Sequence, residues 1–342
     1  MFQNIPISQI KNDTNLSNSF LHVELKKLSL NCNIYNGEFC LDSFNFYLIN
    51  KNNNTFSNLF TRDLFQKNEH FFTEYFYENF KKNYNNFKKK DNVFVLGSNA
   101  GNNYYSNLLQ FLPRIFFLKS NNIKIAINRN SSSKFRDFIR AIIVSQNIDF
   151  KFTYLDDGFY RFTNSQMPQF FDLAKSVNIL RSILIPKKSE IRHKKIYVTR
   201  EGSSYRKVIN EADIIPILRS KGYTVINPEL YKIDDQIKIF NNADKIIAPY
   251  GSNLANIIFC KPKTDVCVIG PSFNKDFEKP FDKRYEYLAK LNDLKYSWIK
   301  ADTVPIENYS EISKKYINKN ILHNSNYYAN LIVKVSDIKS LN

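Results

Sequence analysis

Glycine is scarce in this sequence, with 8 among 342 residues. Because glycine enters left-handed or crowded backbone positions freely, each one marks a place worth reading. Cysteine is sparse too: Cys32, Cys40, Cys260 and Cys267 form no CxxC pair and no metal-ligand spacing. That excludes a disulfide framework and a zinc ribbon, and it fits buried thiols in a reducing compartment. No apolar run approaches the length of a membrane span. The opening MFQNIPISQIKNDTNLSN lacks a basic stretch followed by an apolar core, so it is not read as a signal peptide. The expectation is a cytoplasmic protein, soluble or held peripherally at an inner membrane face.

What is present is apolar and basic. Hydrophobic residues make up 43% and aromatics 15%, which excludes a disordered chain. At 342 residues two domains are expected. Lys and Arg number 49 against 32 Asp and Glu, a formal charge of +17. Nucleic acid, an anionic membrane and phosphorylated substrates would all suit that charge, as would a merely well-solvated surface. The densest patch runs from Lys81-Lys82 to Lys88-Lys89-Lys90 with Tyr84 and Phe87 between. It carries no signature of a known nucleic-acid module, so lipid headgroups fit it better and no nucleic-acid partner is expected.

Along the chain, residues 1–90 read as an irregular α+β lead-in to the N-terminal domain. Regular alternation begins in 91–190. Val93–Leu96 reads as a strand, Gly97 to Gly101 as a turn, and 102–118 as an amphipathic helix that Pro113 should kink or shorten. Ile123–Ile127 and Phe150–Leu155 read as strands around a helix at Phe135–Ser145. From about 165 to 194 the rhythm lapses into a connection. A second half, 191–342, follows. Lys195–Thr199 is a strand, and a helix runs from an Asn210 cap to Gly222. Tyr223–Asn227 is a strand, Asp234–Asn242 a helix, and helical segments close the chain. The fold class expected is α/β, with two Rossmann-like domains facing across a cleft.

The stretch 241–271 organises the second half. Ile246–Ala248 is an apolar strand, Tyr250-Gly251-Ser252-Asn253 a polar turn, Leu254–Phe259 a helix start, and Val266–Ile269 a further strand. A turn between a strand end and a helix start is where α/β sheets hold anions. Upstream, YVTREGSSYRKVINE sets Arg200 at a strand end and Arg206 in the loop that follows. Two guanidinium groups converging on such a loop suit a diphosphate, although two surface arginines would read the same way. For proton transfer the sequence offers Asp156 and Asp157 at the end of Phe150–Leu155, which would equally cap a turn with Gly158. Glu211 at a helix start is a third carboxylate; His193 lies in the basic connection.

Taken together, TRxxxxxRKVINE, the GYTVINPE strand, DQIxIF and IIAPYGSNLANIIF resemble glycosyltransferase family 61. The resemblance is good over 195–271 and weaker at Asn103-Tyr104-Tyr105 and Leu112-Pro113-Arg114. It implies a bacterial surface-polysaccharide transferase of GT-B architecture: inverting, metal-independent and without a cofactor. The donor is a nucleotide-sugar, commonly a UDP-sugar, and the acceptor a glycan or lipid-linked glycan. Matched onto the family's donor motif are Arg200, Arg206, Asn210, Glu211, Gln236, Gly251, Leu254 and Asn256, with Tyr250, Ser252 and Asn253 in the same turn. The amides of Ser252 to Leu254 would cap the pyrophosphate. Gly97, Asn103, Ser106 and Arg114 are the acceptor-side candidates. Asp157, then Asp156 and Glu211, are the candidates for the base. No DxD triplet occurs. The chain departs from the family pattern at Tyr250, where His is usual, and at Asn253, Val268, Ser106 and Gln110. Those departures leave open a silent nucleotide- or glycan-binding subunit of a polysaccharide assembly complex, and the charge leaves open a nucleic-acid-binding protein.

Overall fold

The computed structural model describes residues 20–25, 30–43, 47–50, 55–56, 82–97, 103–118, 122–144, 148–185, 194–271, 282–304 and 329–341. The aromatic stretch Phe60–Phe80, the turn residues after Gly97 and His193 lie outside them. The chain is mixed α/β with two sheets, and it divides into two units, Met1–Ser182 and Ile183–Asn342.

The strands of the first unit are β1 (Phe20–Leu25), β2 (Leu30–Asp42), β3 (Tyr47–Asn50), β4 (Thr55–Phe56), β5 (Lys88–Asp91), β6 (Val93–Val95), β7 (Ile123–Asn128), β8 (Phe150–Leu155) and β9 (Phe159–Pro168). They form one sheet in the order β4-β3-β2-β9-β6-β7-β8, with β1 on β2 and β5 on β9. The parallel core β6-β7-β8 matches the expected strands, and β6 is buried throughout, as a strand covered on both faces should be. Between β7 and β8 lies α1 (Ser133–Val144).

Three features differ from expectation. The lead-in supplies strands to this same sheet, and β2 pairs antiparallel with β9 over most of its length. The expected connection holds the end of β9 and a helix, α2 (Leu173–Leu184). The helix over 104–117 is one α turn, Tyr104–Ser106, then a π turn, Asn107–Phe111, then a 3-10 turn, Leu112–Phe117. Pro113 sits in the first turn of that last segment, where the helical register changes from π to 3-10.

In the second unit, β10 (Lys195–Val198), β11 (Thr224–Ile226), β12 (Lys245–Pro249), β13 (Asp265–Pro271), β14 (Lys295–Val304) and β15 (Asn330–Ile332) form a sheet in the order β11-β10-β12-β13-β14-β15. The first five are parallel, and β15 runs antiparallel to β14. Helices α3 (Glu211–Ser220), α4 (Ile233–Asn242), α5 (Asp282–Leu291) and α6 (Val335–Lys339) belong to this unit. Gly222 follows α3 at φ +82°, the left-handed conformation that ends a helix. The segment after the glycine turn, Ser252–Phe259, is a 3-10 helix instead of an α-helix. The carboxyl terminus, read as helical, contributes β15 before the short α6.

Candidate functional site: two buried arginines at a strand crossover

The strand order places β10 beside β12, yet the chain leaves β10 towards β11 and leaves β12 towards β13. Two loops therefore part above the carboxyl ends of neighbouring strands, which opens the crevice where α/β sheets bind ligands. One loop begins with Thr199-Arg200 and the other with Tyr250-Gly251.

Arg200 and Arg206 are each only 7% exposed. The Arg200 guanidinium lies directly over Gly251: a Cβ there would stand 2.0 Å from Nη1 and 2.7 Å from Cζ. Gly251 has extended backbone, φ 174°, so close approach and not a special turn conformation requires glycine here. Nη2 of Arg200 donates to Tyr205 O at 3.2 Å, whereas the buried Nε has no hydrogen-bond partner. Arg206 has left-handed backbone, φ 55°. Its guanidinium lies 5.1 Å from the Tyr250 ring and 5.2 Å from the Tyr205 ring, and that of Arg200 lies 5.7 Å from the Tyr205 ring. Burial and then the charge of Arg206 push the Arg200 pKa down. Two buried, mutually repelling guanidinium groups with an unused donor make a site that an anion would complete.

The neighbours hold this arrangement in place. Glu211 accepts hydrogen bonds from Tyr197 Oη at 2.6 Å and from Thr199 Oγ1 at 2.8 and 2.9 Å, and Thr199 Oγ1 accepts the Glu201 N–H at 3.1 Å. This fixes the end of β10 to the first turn of α3, and burial with the adjacent carboxylate pushes the Tyr197 hydroxyl pKa well up. Both carboxylate oxygens of Glu211 are thereby engaged with hydroxyls of β10 and the residue that follows it. Asn210 precedes α3 without capping it, and both ends of its amide bind the backbone of Val333. Gln236 and Asn256 are buried and joined, Asn256 Nδ2 donating to Gln236 Oε1 at 3.3 Å and Gln236 Nε2 to Tyr231 O at 3.0 Å. They brace α4 against Ser252–Phe259. The Leu254 N–H bonds Gly251 O at 3.0 Å. Of the three amides expected to meet a phosphate, those of Ser252 and Asn253 have no backbone acceptor among the described residues.

Tyr250 packs edge-on to Tyr285 at 5.2 Å and against Trp298 at 5.8 Å. Trp298 reaches it because β13 carries Gly270, where a Cβ would lie 2.0 Å from Trp298 Cζ2. Sequence reading missed Gly270, Trp298 and Tyr285. The signal was the pairing of a rare glycine with the single tryptophan. Val268 is buried in β13.

In the first unit Asp156 and Asp157 form the turn from β8 to β9, with Gly158 at φ +143°. Asp156 binds Arg129 through Nε at 2.5 Å and Nη2 at 3.3 Å, with Lys88 at 3.9 Å, and the Arg129 hydrogen bond holds its pKa below the carboxylate range. Asp157 is exposed; partial desolvation and then the charge of Asp156 push its pKa up, opposed by a hydrogen bond from Asn128. Gly97 is buried and its N–H donates to Ala126 O at 2.6 Å. Asn103 accepts the Ser106 N–H at 3.1 Å and caps the helical run, while Ser106 is buried. Gln110 Oε1 is buried without a hydrogen-bond partner. Arg114 is 0% exposed and donates to the carbonyls of Val95, Leu96 and Pro168, its guanidinium 4.1 Å from the Phe170 ring. Burial pushes its pKa down to about 9. The charge ties the ends of β6 and β9 together, a structural use in place of the acceptor contact expected of it.

All four cysteines are buried, and none is in a disulfide. Among the described residues no group of three His, Cys, Asp or Glu could hold a metal ion, and no helix is long and apolar enough to cross a membrane. No curated protein matches the chain. A family model, Glycosyltransferase 61, matches residues 60–267, more than half of the chain and the whole of both arginine and glycine loops. The chain belongs to glycosyltransferase family 61 and is a glycosyltransferase.

Proposed function

We propose that this glycosyltransferase takes a sugar from a nucleoside-diphosphate donor, a UDP-sugar first among them, and transfers it with inversion to a hydroxyl of a surface glycan or lipid-linked glycan. The observation that carries the reading is the buried Arg200–Arg206 pair with the partnerless Nε of Arg200. The acceptor oxygen attacks the anomeric carbon and loses its proton to a carboxylate. The bond from that carbon to the diphosphate oxygen breaks, and the diphosphate leaves with the electron pair. Arg200 and Arg206 are the groups that would meet the charge gathering there, in a setting dry enough for guanidinium–phosphate bonds to be strong. The amides of Ser252 and Asn253 would add two donors. Asp157 is the base of choice: its pKa is raised and it is exposed, whereas Asp156 is engaged by Arg129 and Glu211 by two hydroxyls. The charge comes from protein side chains in this scheme, and no metal is invoked.

A GT-B pairing, with the donor on the second unit and the acceptor on the first, belongs to the same proposal, as does a cytoplasmic site against an anionic membrane. Exposed Lys82 and Lys89 would face the headgroups. The test is calorimetry with UDP, GDP and CMP on wild type and Arg200→Ala, followed by turnover of the bound donor with a crude lipid acceptor. Nucleotide binding that Arg200→Ala abolishes supports the donor site, and equal binding by both proteins overturns it. Binding without turnover across donors would make the chain a silent subunit.

A further inference from the structure

The loop that carries Arg206 runs on alongside β15. Lys207 N–H donates to Asn330 Oδ1 at 3.0 Å, Leu331 N–H to Lys207 O at 2.7 Å, and Ile209 N–H to Leu331 O at 2.9 Å. Val208 and Leu331 form a parallel bridge. Asn210 closes the ladder, its Nδ2 donating to Val333 O at 2.9 Å and its Oδ1 accepting the Val333 N–H at 3.1 Å. On its other edge β15 pairs with Asp302, Thr303 and Val304 of β14. Val208, Leu331 and Val333 share a core with Ile269 and Ile299. A carboxyl-terminal strap, beyond the residues that the family model matches, thus fastens the loop to the sheet.

Arg206 stands immediately before this ladder at φ 55°. Bulky L-residues avoid that region, and one persists there only when its surroundings over-determine it. Lys207 and Asn210 are held by side chains at both ends of the ladder, which fixes the direction in which the chain leaves Arg206.

We propose that Asn210 and Asn330 are positioning residues for the donor diphosphate: by clamping 207–210 to the carboxyl-terminal strand they hold left-handed Arg206 in its pair with Arg200. This rests on reading that pair as the diphosphate site. UDP calorimetry on the full chain tests both, with Arg200→Ala, Arg206→Ala, Asn210→Ala, Asn330→Ala and the double variants of each asparagine with Arg206→Ala. Asn210→Ala and Asn330→Ala are expected to weaken UDP roughly tenfold alone and less than about twofold in the Arg206→Ala background, because coupled residues are not additive. A merely structural loss would weaken UDP equally in both backgrounds, and that result overturns the positioning role. So does wild-type affinity in both asparagine variants. If Asn210→Ala does not fold, Asn330→Ala, which keeps both Asn210 bonds, carries the comparison. If Arg200→Ala binds UDP as wild type does, the diphosphate reading falls and takes this inference with it. If only the asparagine variants are silent, the diphosphate reading stands alone.

Discussion

The guanidinium of Arg200 occupies the space that any side chain at residue 251 would need, its Nη1 only 2.0 Å from where a Cβ would sit. Glycine and arginine are therefore one feature reached from two strand ends. Gly251→Ala should push Arg200 aside without straining the backbone, which is extended there. The expected outcome is a folded protein whose UDP affinity falls on the order of ten- to a hundredfold, with little further loss when Arg200→Ala is added. Calorimetry on the two singles and the double checks it; additive losses would show that the glycine acts independently.

Gly270 and Trp298 repeat the relationship behind the site. Gly270→Ala overpacks the contact with the indole, and forced repacking of this kind costs roughly 1–3 kcal/mol. Trp298 is the single tryptophan, so intrinsic fluorescence reports its displacement directly. Because Trp298 and the Arg206 guanidinium both pack on the Tyr250 ring, UDP should also alter the wild-type emission. A variant with unchanged emission and melting temperature would refute the packing argument.

Much of this site was legible because it depends on residue type at a strand end. The runs Ile246–Ala248 and Val266–Ile269 stood out because strands buried on both faces read as continuous apolar stretches. Arg200, Arg206 and Gly251 stood out because phosphate chemistry uses few residue types. β9 was hidden because buried Ser165 interrupts its apolar alternation, and only the fold supplies its partners, the Val93 N–H at 3.1 Å and Thr163 O at 2.6 Å. The burial of Arg114 was hidden because it depends on carbonyls from two strands far from it in the chain. The ladder from 207 to 210 was hidden for the same reason: its partner strand arrives at residue 330.

Arg114 gives the sharpest stability prediction. Its guanidinium serves three carbonyls in different directions, and a buried acceptor left without a donor costs about 1–3 kcal/mol each. Arg114→Ala should therefore fail to fold or lose several kcal/mol. Arg114→Lys should rescue little of it, because a single ammonium cannot span the ends of β6 and β9. Denaturant melts of both variants decide the point; a lysine variant as stable as wild type would mean that charge alone suffices.

The pH dependence of turnover distinguishes the paired aspartates. As a base Asp157 works only when ionised, so kcat/KM should fall on acidification through its pKa, which stands above the ordinary aspartate value. The adjacent charge of Asp156 contributes to that upward shift. Asp156→Asn removes that charge and should move the acid limb of the profile to lower pH while activity at neutral pH survives. Asp157→Asn should instead lower kcat on the order of a hundredfold or more across the range. The stability signs are opposite. Asp156, with its pKa held down by Arg129, stabilises the fold above the unfolded aspartate pKa, and this contribution disappears as pH falls through the folded value. Asp157, with its pKa raised, opposes folding once ionised, and the opposition is relieved on acidification. Melting temperatures of the two asparagine variants between pH 3 and pH 8 should thus diverge from wild type in opposite directions at neutral pH and converge in acid. An acid limb that stays in place in Asp156→Asn would remove Asp157 from the role of base.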